Sequence, residues 1–152
     1  MYRRPGELVV TDHYRKLERM YLESAPINEF FEPSLEIQEG RAELELPVSE
    51  KLFHPARAVH GTAYFKALDD AAFFAANSLV EDVFLLTTQF NVYMTRPVSS
   101  GSMHAVGEVI NEHPDQYIAE SAIRDDDGNQ LARGRGLFVP SSVKLSPEIG
   151  YR

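Results

Sequence analysis

From His60 to Ser78 the chain reads His-Gly-Thr-Ala-Tyr-Phe-Lys-Ala-Leu-Asp-Asp-Ala-Ala-Phe-Phe-Ala-Ala-Asn-Ser, a helix apolar on nearly every side that carries two acids in its middle. A helix with apolar residues all round has to be wrapped by other protein surface. A carboxylate inside that wrapping costs several kcal/mol unless it is paired, solvated or put to use. The helix opens on His60-Gly61. Glycine at such a start lets another group approach exposed backbone N–H donors, and helix N-termini favour developing negative charge. One element therefore carries both an acid and a place for an oxyanion.

The flanking segments read as its cover. Residues 7–24 hold Leu8, Val9, Tyr14, Leu17, Met20, Tyr21 and Leu22 among charges, an amphipathic helix ending near Ala25-Pro26. Residues 35–38 and 42–46 alternate with period two around Glu39-Gly40, as a half-buried hairpin does. Residues 49–59, with Pro55, read as loop. Beyond the helix, residues 83–95, 102–111, 116–124 and 130–139 are strand candidates divided by turn chemistry at 97–101, 113–115 and 125–129. The tail after Pro140 reads as frayed. One buried helix followed by four consecutive strands implies the α+β class, an antiparallel sheet curled around a long central helix. The expected organisation is a single domain over 1–152, with a helical extension at 1–26, a core at 34–139 and a tail at 140–152. The open edges of such a sheet invite pairing between subunits.

Composition removes several function classes. A length of 152 residues suits one core. The net charge of −8 argues against a nucleic-acid surface, since only Arg133 and Arg135 sit close together in a strand-like run. With no cysteine, disulfides, thiolate metal sites and cysteine nucleophiles are excluded. Met1-Tyr2-Arg3-Arg4-Pro5-Gly6 is not followed by an apolar signal core, and no apolar run is long enough to span a bilayer, so the cytoplasm is the expected location. His54, His60 and an acid have no recognised metal-ligand spacing.

His60-Gly61, Leu68-Asp69, Asn77-Ser78, Thr95-Arg96-Pro97-Val98 with Gly101, and Asp127-Gly128 with Ala132-Arg133-Gly134 follow one another in a specific order. In these residues the chain resembles the hotdog-fold acyl-CoA thioesterases of the PaaI-like kind, over residues 54–138. The resemblance implies a hotdog fold and hydrolysis of a small or medium acyl- or aryl-CoA. It implies no cofactor or metal beyond the CoA of the substrate, and a homodimer or homotetramer.

The resemblance implies further that the acid nine positions after the histidine, Asp69, is general base or nucleophile. From spacing alone, Asp69 and Asp70 can equally pair with Lys66 at i+3 and i+4, and that reading is kept for Asp70. A carboxylate in apolar surroundings keeps a raised pKa and little water, so it can take a proton from one positioned water. The thioester carbonyl is implied to be polarised by backbone N–H at Gly61. Thr62 stands where relatives usually carry a second glycine; its main-chain donor remains, while its β-branched side chain crowds the acyl group.

His60 reads as shaping or capping the turn. His54 stands where relatives often carry asparagine, and reads either as a hydrogen-bonding imidazole or as an exposed loop histidine before Pro55. In some relatives a hydroxyl eighteen positions past the acid holds the attacking water, which points to Thr87, with Thr88 as the alternative. Phe84, Leu86, Phe90, Val92 and Met94 share one parity as the apolar face, and Thr87 falls with Gln89, Asn91 and Tyr93. For the CoA phosphates the cations are Arg96, Arg133 and Arg135, which otherwise read as a solvated face.

Distance adds a claim about assembly. The nine helical residues from Gly61 to Asp69 span roughly 13 Å, too far for both to touch one carbonyl. If both act on one thioester, the acid comes from a second copy whose helix lies antiparallel, at a two-fold interface. The competing reading is a non-catalytic acyl-CoA binding or regulatory protein on the same fold. A serine hydrolase lacks its Gly-x-Ser-x-Gly elbow.

Overall fold

The computed structural model describes residues 12–152. Leu8 and Val9, expected in the first helix, lie outside the described residues. Helix α1 spans Asp12–Ser24 and buries Leu17, Met20 and Tyr21 on one face. A short helix α2, Asn28–Phe31, leads into the hairpin of β1 (Ser34–Gln38) and β2 (Arg41–Pro47). A 3-10 turn at Glu50–Leu52 precedes helix α3, Gly61–Asn77, and strands β3 (Val83–Met94), β4 (Ser102–His113), β5 (Gln116–Arg124) and β6 (Gln130–Lys144) follow. All pairings are antiparallel, in the order β1-β2-β4-β5-β6-β3. Among the described residues, no helix is long and apolar enough to cross a membrane.

The sheet wraps α3 as the apolar run requires. Ala67, Leu68, Ala71, Ala72, Ala75 and Ala76 are fully buried, and the small alanines let backbone come close. Closest is β4: a Cβ on Gly107 would lie 2.2 Å from the Ala71 carbonyl oxygen, so only glycine fits there. The Ser121 hydroxyl of β5 donates to the Leu68 carbonyl (2.7 Å), tying the helix to the sheet a second time.

Two expectations need correction. The tail is ordered: β6 runs on to Lys144, a 3-10 turn forms at Pro147–Ile149, and the Tyr151 hydroxyl meets His13 Nδ1 at 2.7 Å. Packing against α1 supplies what the polar local sequence does not. On β3 a single parity does not hold, because Thr87 pairs with Phe138 and Gln89 with Leu137, leaving Thr88 as a bulge. One extra residue flips every later side chain to the other face. Leu85 and Thr87 therefore face the helix before the bulge, with Phe90 after it, while Leu86 is 49% exposed.

Candidate active site

Asp69 sits in the middle of α3, half-buried, facing β3. Thr87, on the same side of β3 as Leu85, stands opposite it, and the Thr87 hydroxyl donates to Asp69 Oδ1 at 2.8 Å. Burial pushes the Asp69 carboxyl up to about 6 from an ordinary 3.8; the Asp70 charge adds to the rise, and the Thr87 hydroxyl and Lys66 ammonium oppose it. Asp70, one residue on, is differently engaged. It accepts from Tyr21 of α1 and from Lys66 Nζ (2.7 Å), and that ammonium also lies over the Tyr21 and Phe31 rings. Lys66 thus pairs with Asp70 and leaves Asp69 to Thr87.

A cavity of about 570 Å³ opens beside these acids. Its walls are apolar: Met20 and Tyr21 of α1, Phe73 and Phe74 of α3, and Phe84 and Leu85 of β3, with Val143 and Ile149 of the C-terminal segment also lining it. Sequence reading missed Tyr21 and the tail as parts of this site. Their periodicity signals packing alone, and only the fold brings them to α3.

The turn between α3 and β3 is set by Asn77, which is fully buried. Its Nδ2 donates to the Val80 and Val83 carbonyls (3.1 Å each), its Oδ1 accepts from the Leu85 N–H (2.9 Å), and its carbonyl faces His13 Nε2 (2.9 Å). This starts β3 in the register that puts Thr87 against Asp69. Asn77→Ala leaves these buried backbone groups unsatisfied and is expected to cost about 3–5 kcal/mol, read as a lower urea midpoint.

At the other end of α3, His60 caps the helix. Its Nδ1 accepts from the Thr62 N–H (3.0 Å) and lies 3.0 Å from the Thr62 hydroxyl. The Thr62 N–H is therefore committed, and Thr62 is not a second carbonyl donor in this arrangement. The Ala63 N–H goes to the His60 carbonyl. Among the described residues the Gly61 N–H has no acceptor.

No family model matches the chain. The E. coli PaaI protein from the phenylacetic acid degradation operon superposes with a TM-score of 0.80 at 17% identity, covering 89% of this chain and 97% of that one. A thioesterase from Haemophilus influenzae gives 0.71 at 18% identity, covering 80% and 85%. A Saccharolobus solfataricus protein named provisionally as an esterase is 21% identical over 135 residues, 88% of this chain and 96% of its own. The chain has the hotdog fold.

On this hotdog scaffold the sequence-predicted residues separate into groups. Asp69 and Thr87 meet, and Gly61, Thr62 and His60 form the helix tip. Thr88, in the bulge, donates instead to the Leu137 carbonyl (3.2 Å), away from Asp69. His54 is absorbed in its own turn, where Nδ1 accepts from the Ala56 N–H (3.1 Å). Arg133 and Arg135 project from the sheet face opposite the hotdog helix, Arg135 pairing with Glu120 at 3.2 Å. Neither reaches the cavity. The Arg96 carbonyl accepts from Tyr64, and its side chain lies exposed near Asp125. Among the described residues no three His, Asp or Glu side chains converge on a common point.

Proposed function

We propose that the protein hydrolyses the thioester of a small or medium acyl- or aryl-CoA, with Asp69 as general base or nucleophile and the Gly61 N–H as oxyanion donor. The carrying observation is Asp69 itself. It is a half-buried acid held by Thr87 on one oxygen at the wall of an apolar cavity, with its titration moved towards neutrality. The fold shared with the Haemophilus thioesterase supports the reaction class, and the cavity's aromatic walls suit the acyl group.

The reading requires two copies. Among the described residues strand β3 is paired only on its β6 side, and Leu86 and Tyr93 on it are 49% and 70% exposed. Antiparallel pairing of two such edges buries them and sets two α3 helices side by side. The Gly61 tip of one protomer then approaches Asp69 of its partner. The carboxylate attacks the thioester carbon, giving an acyl anhydride that water then hydrolyses, or takes the proton from a water that attacks directly. The Gly61 N–H meets the charge on the carbonyl oxygen, and CoA leaves as the thiolate.

Purified protein incubated with a panel of acyl- and aryl-CoA esters is expected to release free thiol. Saturable acyl-CoA binding without thiol release would assign it to the non-catalytic class instead. The pH profile carries the acid's signature. An Asp69 titrating near 6 is protonated and inactive below that pH, so kcat/KM is expected to rise with pH through about 6 and then level off. Thr87→Val removes the hydrogen bond that lowers this pKa and should move the limb to higher pH.

A further inference from the structure

Lys66 has two acids within reach on its own helix. Asp69 lies at i+3 and Asp70 at i+4, spacings that serve an ion pair about equally well. The structure gives the ammonium to Asp70, at 2.7 Å, with the Lys66 side chain only 10% exposed. Two residues ahead of the sheet fix that choice. The Tyr21 and Phe31 rings each have their centroid 5.2 Å from Lys66 Nζ, and the Tyr21 hydroxyl donates to Asp70 Oδ2, the oxygen that Lys66 itself holds. Burial and the Asp70 charge push the Tyr21 phenol well above its usual range, so it remains a donor. Among the described residues, the Asp69 carboxylate has one side-chain hydrogen bond, from Thr87 to Oδ1. Its second oxygen is left open.

We infer that Asp70 and Tyr21 are positioning residues that hold Lys66 off Asp69, keeping one Asp69 oxygen free for water or the thioester. An ammonium swung to the i+3 acid would occupy that oxygen and make the carboxylate a weaker base. Asp70 acts in the same sense through its own charge, which opposes a second negative charge on Asp69. Of the described residues lining the cavity, the titratable ones around Asp69 are Tyr21 from α1 and Lys66 and Asp70 from α3. Strand β3 adds the Thr87 hydroxyl, and the C-terminal segment adds only Val143 and Ile149. Helix α1 thus reaches the reacting acid through its neighbour. The inference rests on the reading of Asp69 as general base or nucleophile.

The test follows the Asp69 carboxyl directly, by NMR titration of protein with isotope-labelled aspartate, beside the pH profile of thiol release. Asp69→Asn identifies the resonance. In Asp70→Asn the ammonium is free to reach Asp69 and the neighbouring charge is gone. Both the Asp69 titration and the rising limb of kcat/KM should then move at least about one pH unit lower. Adding Lys66→Met to Asp70→Asn removes the cation that moves, and should return most of that shift. An unmoved or raised Asp69 titration in Asp70→Asn overturns the inference, as does a double variant that stays as low as Asp70→Asn. Lys66→Met alone serves where Asp70→Asn does not fold, since its side chain still fills the space between the two rings. Removing an ammonium that is held off Asp69 should raise the Asp69 titration by less than about one pH unit, whereas a larger rise means that Lys66 pairs with Asp69 and overturns the inference. A lowered Asp69 titration with an unmoved kinetic limb instead overturns the reading of Asp69 as the reacting acid.

Discussion

Asp69→Asn is expected to lower thioester hydrolysis at least about a hundredfold, the scale of losing a general base. Asparagine keeps the shape and can still accept from Thr87, so the loss reads the charge and not the packing. Thiol release under saturating acyl-CoA measures it, and full activity in the variant removes Asp69 from the mechanism. The same substitution carries a second, opposite signature. The folded-state pKa of Asp69 is raised, to about 6, so its protonated form is the one the fold favours. Stability is therefore lost as pH climbs from the unfolded value through about 6, and the deficit persists above it. Asp69→Asn should be more stable than the parent at neutral pH by about 3 kcal/mol, with the difference vanishing below about pH 4. A gain in stability beside a collapse in rate is what a carboxylate kept for chemistry predicts.

Gly61→Pro is the second large effect. Proline at the first helical position fits the helix and removes only an N–H that the helix does not use. His60 already has φ −65° and ψ 145°, the extended backbone that a residue before proline adopts. The loss expected for one oxyanion donor is about 10²–10³ in kcat. Gly61→Ala is the control. It keeps the N–H, and its Cβ meets only the flexible end of Met94, so its rate should fall much less. Equal losses in the two variants would mean that space at the tip matters and the donor does not.

The central helix was legible because a long apolar run with acids in it has few other uses, and its neighbours alternate as strands between plain turns. His60-Gly61 marked the helix start correctly, since a capping side chain and a glycine act locally. What escaped reading depends on partners distant in sequence. The bulge at Thr88 exists only relative to β6, and without it Thr87 and Phe90 could not both face the helix. The tail, from Val143 to Tyr151, is ordered by α1 and the cavity, which its own sequence does not announce. Arg133 and Arg135 alternate along their strand as the sequence suggests, yet strand polarity alone does not say which face the helix covers. Tyr21 binding Asp70 pairs positions 49 residues apart, a link that spacing rules do not reach.

Mixed assemblies of Asp69→Asn and Gly61→Pro subunits test the shared site most directly. In a hybrid dimer, one site combines both defects while the other joins an intact Asp69 to an intact Gly61. Unfolding and refolding equal amounts of the two inactive variants together, with differently tagged copies to verify hybrid formation, gives half hybrids by random pairing. About a quarter of parental activity should then return, by the symmetry of a two-fold interface. Verified hybrids that stay as inactive as either variant would place both residues in one protomer's site and contradict the account.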